Sequence, residues 1–205
     1  MGLVPRLRPV LVLLLFSFGL PAQVIEFESG GLRYQTLTRN GLTVMFAQLP
    51  SHVREYSILQ VAISNGSKTS CILKPEDFVF YRSDGAVMEA VPARVVVTNM
   101  VEKASRHDVI KLVTAYESSI YGNTRMKSTN GYEVRRQNAL AEVGSPKIKA
   151  AAAASAIAFV NTKLLPGEST DGAVFYRNAG KPLGTGKLVV KTSTVAFEFR
   201  MVSSN

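Results

Sequence analysis

Apolar positions recur with a period of two over most of the chain, the spacing of half-buried strands. In "YSILQVAIS", Ile58, Gln60 and Ala62 alternate with Leu59, Val61 and Ile63, and the run stops at Asn65-Gly66. Upstream, "RYQTLT" and "LTVMFAQL" flank Asn40-Gly41, a dipeptide that accepts the positive φ angles of a two-residue hairpin turn. "SCILKP" and "DFVFYRSDGAVMEAV" follow, the second turning at Ser83-Asp84-Gly85. Near the other end, "GAVFYR", "GKLVVKTS" and "VAFEFRM" repeat the idiom. There Val195, Phe197 and Phe199 alternate with Ala196, Glu198 and Arg200, as in a strand with one wet face. Short strands bounded by Gly, Pro, Asn and Asp predict an antiparallel β-sandwich rather than a parallel sheet.

Between Val97 and Leu164 the period lengthens. Val109, Leu112, Val113, Tyr116 and Ile120 form one helical stripe. Ser105 with Asp108 reads as its N-terminus and Gly122-Asn123 as its stop. "NGYEVRRQNALAEV" predicts a second helix, and Ser145-Pro146 opens a third, "KIKAAAAASAIAFVNTK". Ile157, Val160 and Leu164 supply the apolar stripe of that third helix, while Ala150 to Ala154 allow a neighbour to approach closely. The 13 residues between Lys149 and Lys163 make a helix of roughly 20 Å, too short for a hydrocarbon core of roughly 30 Å. The expectation is a packed helix, with docking of a partner or a second copy as the alternative.

The first residues, "MGLVPRLRPVLVLLLFSFGLPAQ", place Arg6 and Arg8 before an apolar core ending at Pro21-Ala22. That is the layout of a secretory signal peptide spanning 1–23. No cysteine follows the core, so a lipid anchor is not expected, and no transmembrane span remains after cleavage. The protein should therefore be exported, to the periplasm or beyond. Cys71 is the only cysteine, so stability must come from packing, with Cys71 itself a small buried apolar residue. The remaining chain suits one β-sandwich domain, 24–97 with 164–205, interrupted by an α-helical insertion at 98–163.

Several turn motifs fit a known family. "YSILQVAISNGSKTSCILKPEDFVFYRSDGAV", followed much later by "LLPGESTDGAVFYRN" and "KLVVKTSTVAFEF", resembles exported bacterial immunoglobulin-like domains of the telokin-like kind. The matching positions are Asn65, Pro75, Phe78, Asp84, Gly85, Leu165, Pro166, Gly167, Glu168, Gly172 and Phe175. The likeness covers about half of the chain left after export. It implies an immunoglobulin-like β-sandwich with no catalytic or cofactor-binding residues; with the helical period read above, the expected class is mainly β with an α insertion of two to three helices. The helical middle departs from the family, which has a loop or short hairpin there.

Charge is distributed unevenly. The chain carries +9, or +7 without Arg6 and Arg8. From Val24 to Val97 seven basic residues balance seven acidic ones, whereas Thr98 to Lys163 holds ten against five. Arg125, Lys127, Arg135, Arg136, Lys147 and Lys149 are the candidate face for an anionic partner, whether envelope protein, acidic polysaccharide or lipid surface. The leader argues against nucleic acid. A solvated helix surface is the plain alternative, because acids are interspersed.

Reactive constellations are scarce. Ser105, His107 and Asp108 imitate a triad in composition, but neighbours on one turn do not converge on an atom. His52 and His107 with Cys71 make a poor zinc set, and no metal or cofactor is expected. Glu76-Asp77 sits at a turn after Pro75, and Asn65-Gly66-Ser67 suits a turn better than a glycan. The expected function is therefore a non-catalytic extracytoplasmic binding or structural module. The alternative is an enzyme or enzyme inhibitor with a site between insertion and sandwich, near His107, Tyr116, Tyr121, Tyr132 and Glu133.

Overall fold

The structure, a computed structural model, describes residues 23–50, 52–103, 105 and 146–202. Strands β1 (Ile25–Ser29), β2 (Leu32–Arg39), β3 (Leu42–Gln48), β4 (Tyr56–Asn65) and β9 (Ser169–Arg177) form one antiparallel sheet in that spatial order. A second antiparallel sheet holds β11 (Ala196–Met201), β10 (Gly186–Lys191), β6 (Phe78–Arg82) and β7 (Val87–Glu89). A two-stranded ladder joins β5 (Cys71–Leu73) to β8 (Thr162–Leu164). The helices are α1 (Ala93–Lys103) and α2 (Pro146–Ile157).

The two larger sheets face each other across one core. Leu37, Val44, Phe46, Leu59, Val61 and Ile63 from the first meet Phe78, Phe80, Leu188, Val190, Phe197 and Phe199 from the second. Phe46 and Phe199 pack edge to face at 4.9 Å between ring centres, an arrangement worth about 0.5–1.5 kcal/mol beyond the area buried. In β11, Phe197, Phe199 and Met201 point inward while Ala196, Glu198 and Arg200 are exposed, as the alternation predicts.

A second core lies on the opposite face of the five-stranded sheet. Ile58, Ala62, Met45, Tyr56 and Phe175 pack there against Val96 and Met100 of α1 and Ala150, Ala153, Ala154 and Ile157 of α2. β4 is consequently buried on both faces, which is why its alternation is apolar against apolar rather than apolar against charged. The alanines answer a packing need, since small side chains let α2 lie close to both the sheet and α1. Their face is covered within the chain.

Turn chemistry places the strands. Asn40 (φ 51°) and Gly41 (φ 77°) make the two-residue turn that sets Arg39 opposite Leu42. Gly30 (φ 57°) and Gly31 (φ 74°) do the same between β1 and β2, a hairpin not among those expected from the sequence. Asp84 holds the β6–β7 turn by accepting from Ala86 N at 3.1 Å and from Arg82 Nε at 2.8 Å. Asn65 is 0 % exposed, and its amide donates to Thr69 O (2.8 Å) and Leu164 O (3.1 Å) while accepting from Ser67 N (3.1 Å). A glycan on that nitrogen would have to displace two backbone bonds, so the turn reading stands.

The helical region differs from expectation in two places. α1 begins at Ala93, within the stretch assigned to the sandwich, despite the three consecutive valines Val95 to Val97. Val96 and Met100, one turn apart, bury against the sheet, and tertiary burial outweighs the strand preference of the valines. The alanine helix ends at Ile157, so Val160 and Leu164 are not on its stripe. After Ala158 N donates to Ala154 O at 2.9 Å, Phe159 N turns to Ala173 O at 2.8 Å. The open edge of β9 thus captures the chain, and Leu164 lies in β8 opposite Cys71. The expected helices over Val109–Ile120 and "NGYEVRRQNALAEV" lie outside the described residues, as do residues 1–22 of the leader and Ser145.

Candidate functional site

A cleft of about 450 Å³ opens at one end of the sandwich. Its walls come from the β1–β2 hairpin (Glu28, Gly31, Leu32, Arg33 and Gln35), the end of β3 with Leu49 and Pro50, and His52. Ser57 of β4, Lys181-Pro182 after β9 and Met201-Val202 at the end of β11 complete it. Neither helix contributes. Phe46, Leu49 and Met201 are buried and supply an apolar floor. Arg33, Lys181 and His52 are exposed at its margin, with Glu28 opposite Arg33 in the β1–β2 register.

The Lys181-Pro182 wall is firmly held. Asn178 Nδ2 donates to Lys181 O at 2.9 Å and Pro182 O at 2.7 Å, and Ser57 Oγ donates to Lys181 O at 2.5 Å. Asn178 N in turn donates to Glu55 O at 2.7 Å. Gly180 (φ 70°) lies where a Cβ would stand 2.7 Å from Arg54 O, so only glycine lets the loop pass this close.

Gln35 is the unusual member. It belongs to the inward stripe of β2 with Leu37, yet it is polar and only 7 % exposed. Its Nε2 donates to Glu26 Oε1 at 2.6 Å and to Arg200 O at 2.8 Å, tying β1 and β11 together. Arg39 Nη1 makes the parallel contact to Ala196 O at 2.8 Å, so side chains of β2 satisfy outward carbonyls of the edge strand β11. The Gln35 Oε1 atom is buried without a hydrogen-bond partner.

Of the candidate anionic-partner face, Lys147 and Lys149 lie in the first turn of α2 and are exposed. Lys147 Nζ donates to Glu102 O at 3.0 Å, and Arg54 Nη1 donates to Lys103 O at 2.5 Å. Both cations thereby satisfy carbonyls at the C-terminal end of α1, where positive charge is favoured. Ile148, between the two lysines, is 51 % exposed. Arg125, Lys127, Arg135 and Arg136 lie outside the described residues, as do His107, Tyr116, Tyr121, Tyr132 and Glu133.

Cys71 is buried, and burial, then the nearby Asp77 charge, pushes its thiol above the ordinary range. That is the opposite of an activated nucleophile. Glu76 and Asp77 form a short 3-10 turn with Pro75, where Asp77 Oδ2 accepts from Lys74 N at 2.9 Å. Among the described residues, no three of His, Cys, Asp and Glu come together as a metal site. No described helix is long and apolar enough to cross a membrane.

Sequence reasoning missed the cleft because its walls come from six separate segments. The one local signal was a glutamine in register with an inward apolar stripe. No protein-family model, curated protein or solved structure matches the chain.

Proposed function

We propose that the protein is an exported, non-catalytic binding or structural module of the bacterial envelope that contacts an anionic partner through a basic helical face. The observation that carries this reading is the exposed trio Lys147, Ile148 and Lys149 on a helix whose other side is buried. Two cations flanking an exposed aliphatic side chain suit a surface that is anionic and partly apolar. The ten-to-five excess of basic over acidic residues between Thr98 and Lys163 supports the same sign of partner. The cationic leader with its apolar core supports export. The turn motifs at Asn65, Asp84-Gly85, Leu165–Glu168 and Gly172 support an immunoglobulin-like, telokin-like origin for the scaffold.

The experiment is retention of the exported chain on vesicles containing an anionic phospholipid, with an immobilised acidic polysaccharide in parallel. Retention should fall steeply between low and physiological salt. Replacing Arg125, Lys127, Arg135, Arg136, Lys147 and Lys149 by Glu should abolish it. Retention indifferent to both salt and charge reversal would overturn the reading.

A further inference from the structure

An open edge of a β-sheet presents unpaired N–H and C=O groups that another strand can join. The two larger sheets end in β1 and β9, and in β11 and β7. Three of these edges are closed by their own chemistry. Along β9, Val91 N donates to Phe175 O and Phe159 N to Ala173 O, both at 2.8 Å. β7 is only three residues long. On β1, antiparallel pairing with a second copy about Phe27 would set Glu26 against Glu28 on either side.

β11 lacks these defences. "VAFEFRM" holds no glycine or proline, and its glutamate and arginine cancel, which is the profile of a strand that self-associates. Antiparallel pairing about Glu198 would set Ala196 against Arg200, and the Glu198 charge is already engaged by Lys187 Nζ at 3.2 Å. What stands on this edge is a pair of side chains from β2. Gln35 Nε2 and Arg39 Nη1, four residues apart, donate to Arg200 O and Ala196 O, also four apart, each at 2.8 Å. These donors take the places that the N–H groups of an incoming strand would fill. The arrangement has a cost, because Gln35 Oε1 is buried without a partner where an aliphatic side chain like that of Leu37 would strand no oxygen.

We propose that Gln35 and Arg39 guard β11 against strand addition by a second copy of the chain. Without them, the carbonyls of Ala196 and Arg200 become a template for pairing. The N–H of Glu198 points the same way, since alternate residues of a strand share a side.

The test is sedimentation velocity of the exported chain over a concentration series, for the wild type and for Gln35→Met with Arg39→Met. Methionine keeps the length of each side chain and removes its donors. The double variant should associate at least about tenfold more tightly than the wild type. Glu198→Pro in that background should return association to the wild-type level, because proline removes the outward N–H and leaves the β10–β11 bonds intact. Arg39→Met alone changes a half-buried side chain and should shift association the same way by a smaller factor. Association of the double variant equal to that of the wild type overturns the proposal, as does association that survives Glu198→Pro. If the double variant does not fold, an Arg39→Met protein indistinguishable from the wild type overturns it instead.

Discussion

A Cβ placed on Gly172 would stand 2.8 Å from Phe159 Cα and 2.9 Å from Phe159 N. The backbone leaving α2 therefore runs against the edge of β9 at a separation that only glycine permits. Phe159 N donates to Ala173 O at this point, and its ring enters the sandwich core edge to face with Phe78 at 5.5 Å. Gly172 is thus the place where the helical layer is joined to the sheet. Gly172→Ala should destabilise the protein by about 1–3 kcal/mol in urea unfolding. Since the clash is chiefly with backbone, combining it with Phe159→Leu should not relieve it, and a stabilising coupling between the two changes would disprove the account.

Tyr34 and Tyr176 make a matched pair. Both phenols are buried and both have their pKa raised by loss of solvent. Tyr176 donates to Phe78 O at 3.3 Å, whereas the Tyr34 hydroxyl is buried without a partner and its ring stacks on Phe27 at 5.3 Å. Removing a bonded hydroxyl and removing an orphaned one should have opposite signs. Tyr176→Phe should cost about 1 kcal/mol, and Tyr34→Phe should be neutral or stabilising by up to about 1 kcal/mol. Urea midpoints at unchanged slope decide it.

Cys71 offers a probe of opening. Burial first, and the Asp77 charge second, keep its thiol protonated further into alkaline solution than a free cysteine. At pH 8 an aromatic disulfide reagent should react with the native protein at least about a hundredfold more slowly than with the urea-unfolded chain. Rapid labelling of the native state would contradict the packing of β5 against β8.

What could be read from the sequence was the local chemistry. Asn40-Gly41 and Ser83-Asp84-Gly85 carry their turn geometry in two or three residues, and the alternation of Phe197, Phe199 and Met201 carries its facing. What escaped depended on distant partners. The valines of α1 favour a strand until the sheet offers Val96 and Met100 a surface. Alanine propensity would carry α2 past Ile157 had the edge of β9 not offered Phe159 a hydrogen bond. The two-sided burial of β4 was present in its run of apolar residues, but only the helical layer explains why both sets are apolar. The cleft left a single trace, the polar Gln35 beside Leu37, because its other walls converge only in the fold.

Asp77 gives stability a pH dependence of unusual sign. Burial raises its carboxyl above the ordinary value; the Lys74 N–H bond and the Lys74 charge pull it back, and Glu76 pushes it up again. With the folded value above the unfolded one, the native state binds the proton more tightly than the unfolded chain. The stabilising contribution is therefore complete below the unfolded value of about 4 and is lost as pH rises through the folded value. As that proton is lost, the native state comes to bear the cost of a partly buried charge. Asp77→Asn keeps an oxygen to accept from Lys74 N and removes that cost. The variant should gain on the wild type at pH 7 and lose that advantage at pH 3, measured as the difference in urea unfolding free energy. Every other titrating group is common to both proteins and cancels in the difference. An advantage that is the same at both pH values, or larger in acid, would show that Asp77 is not held in the environment described.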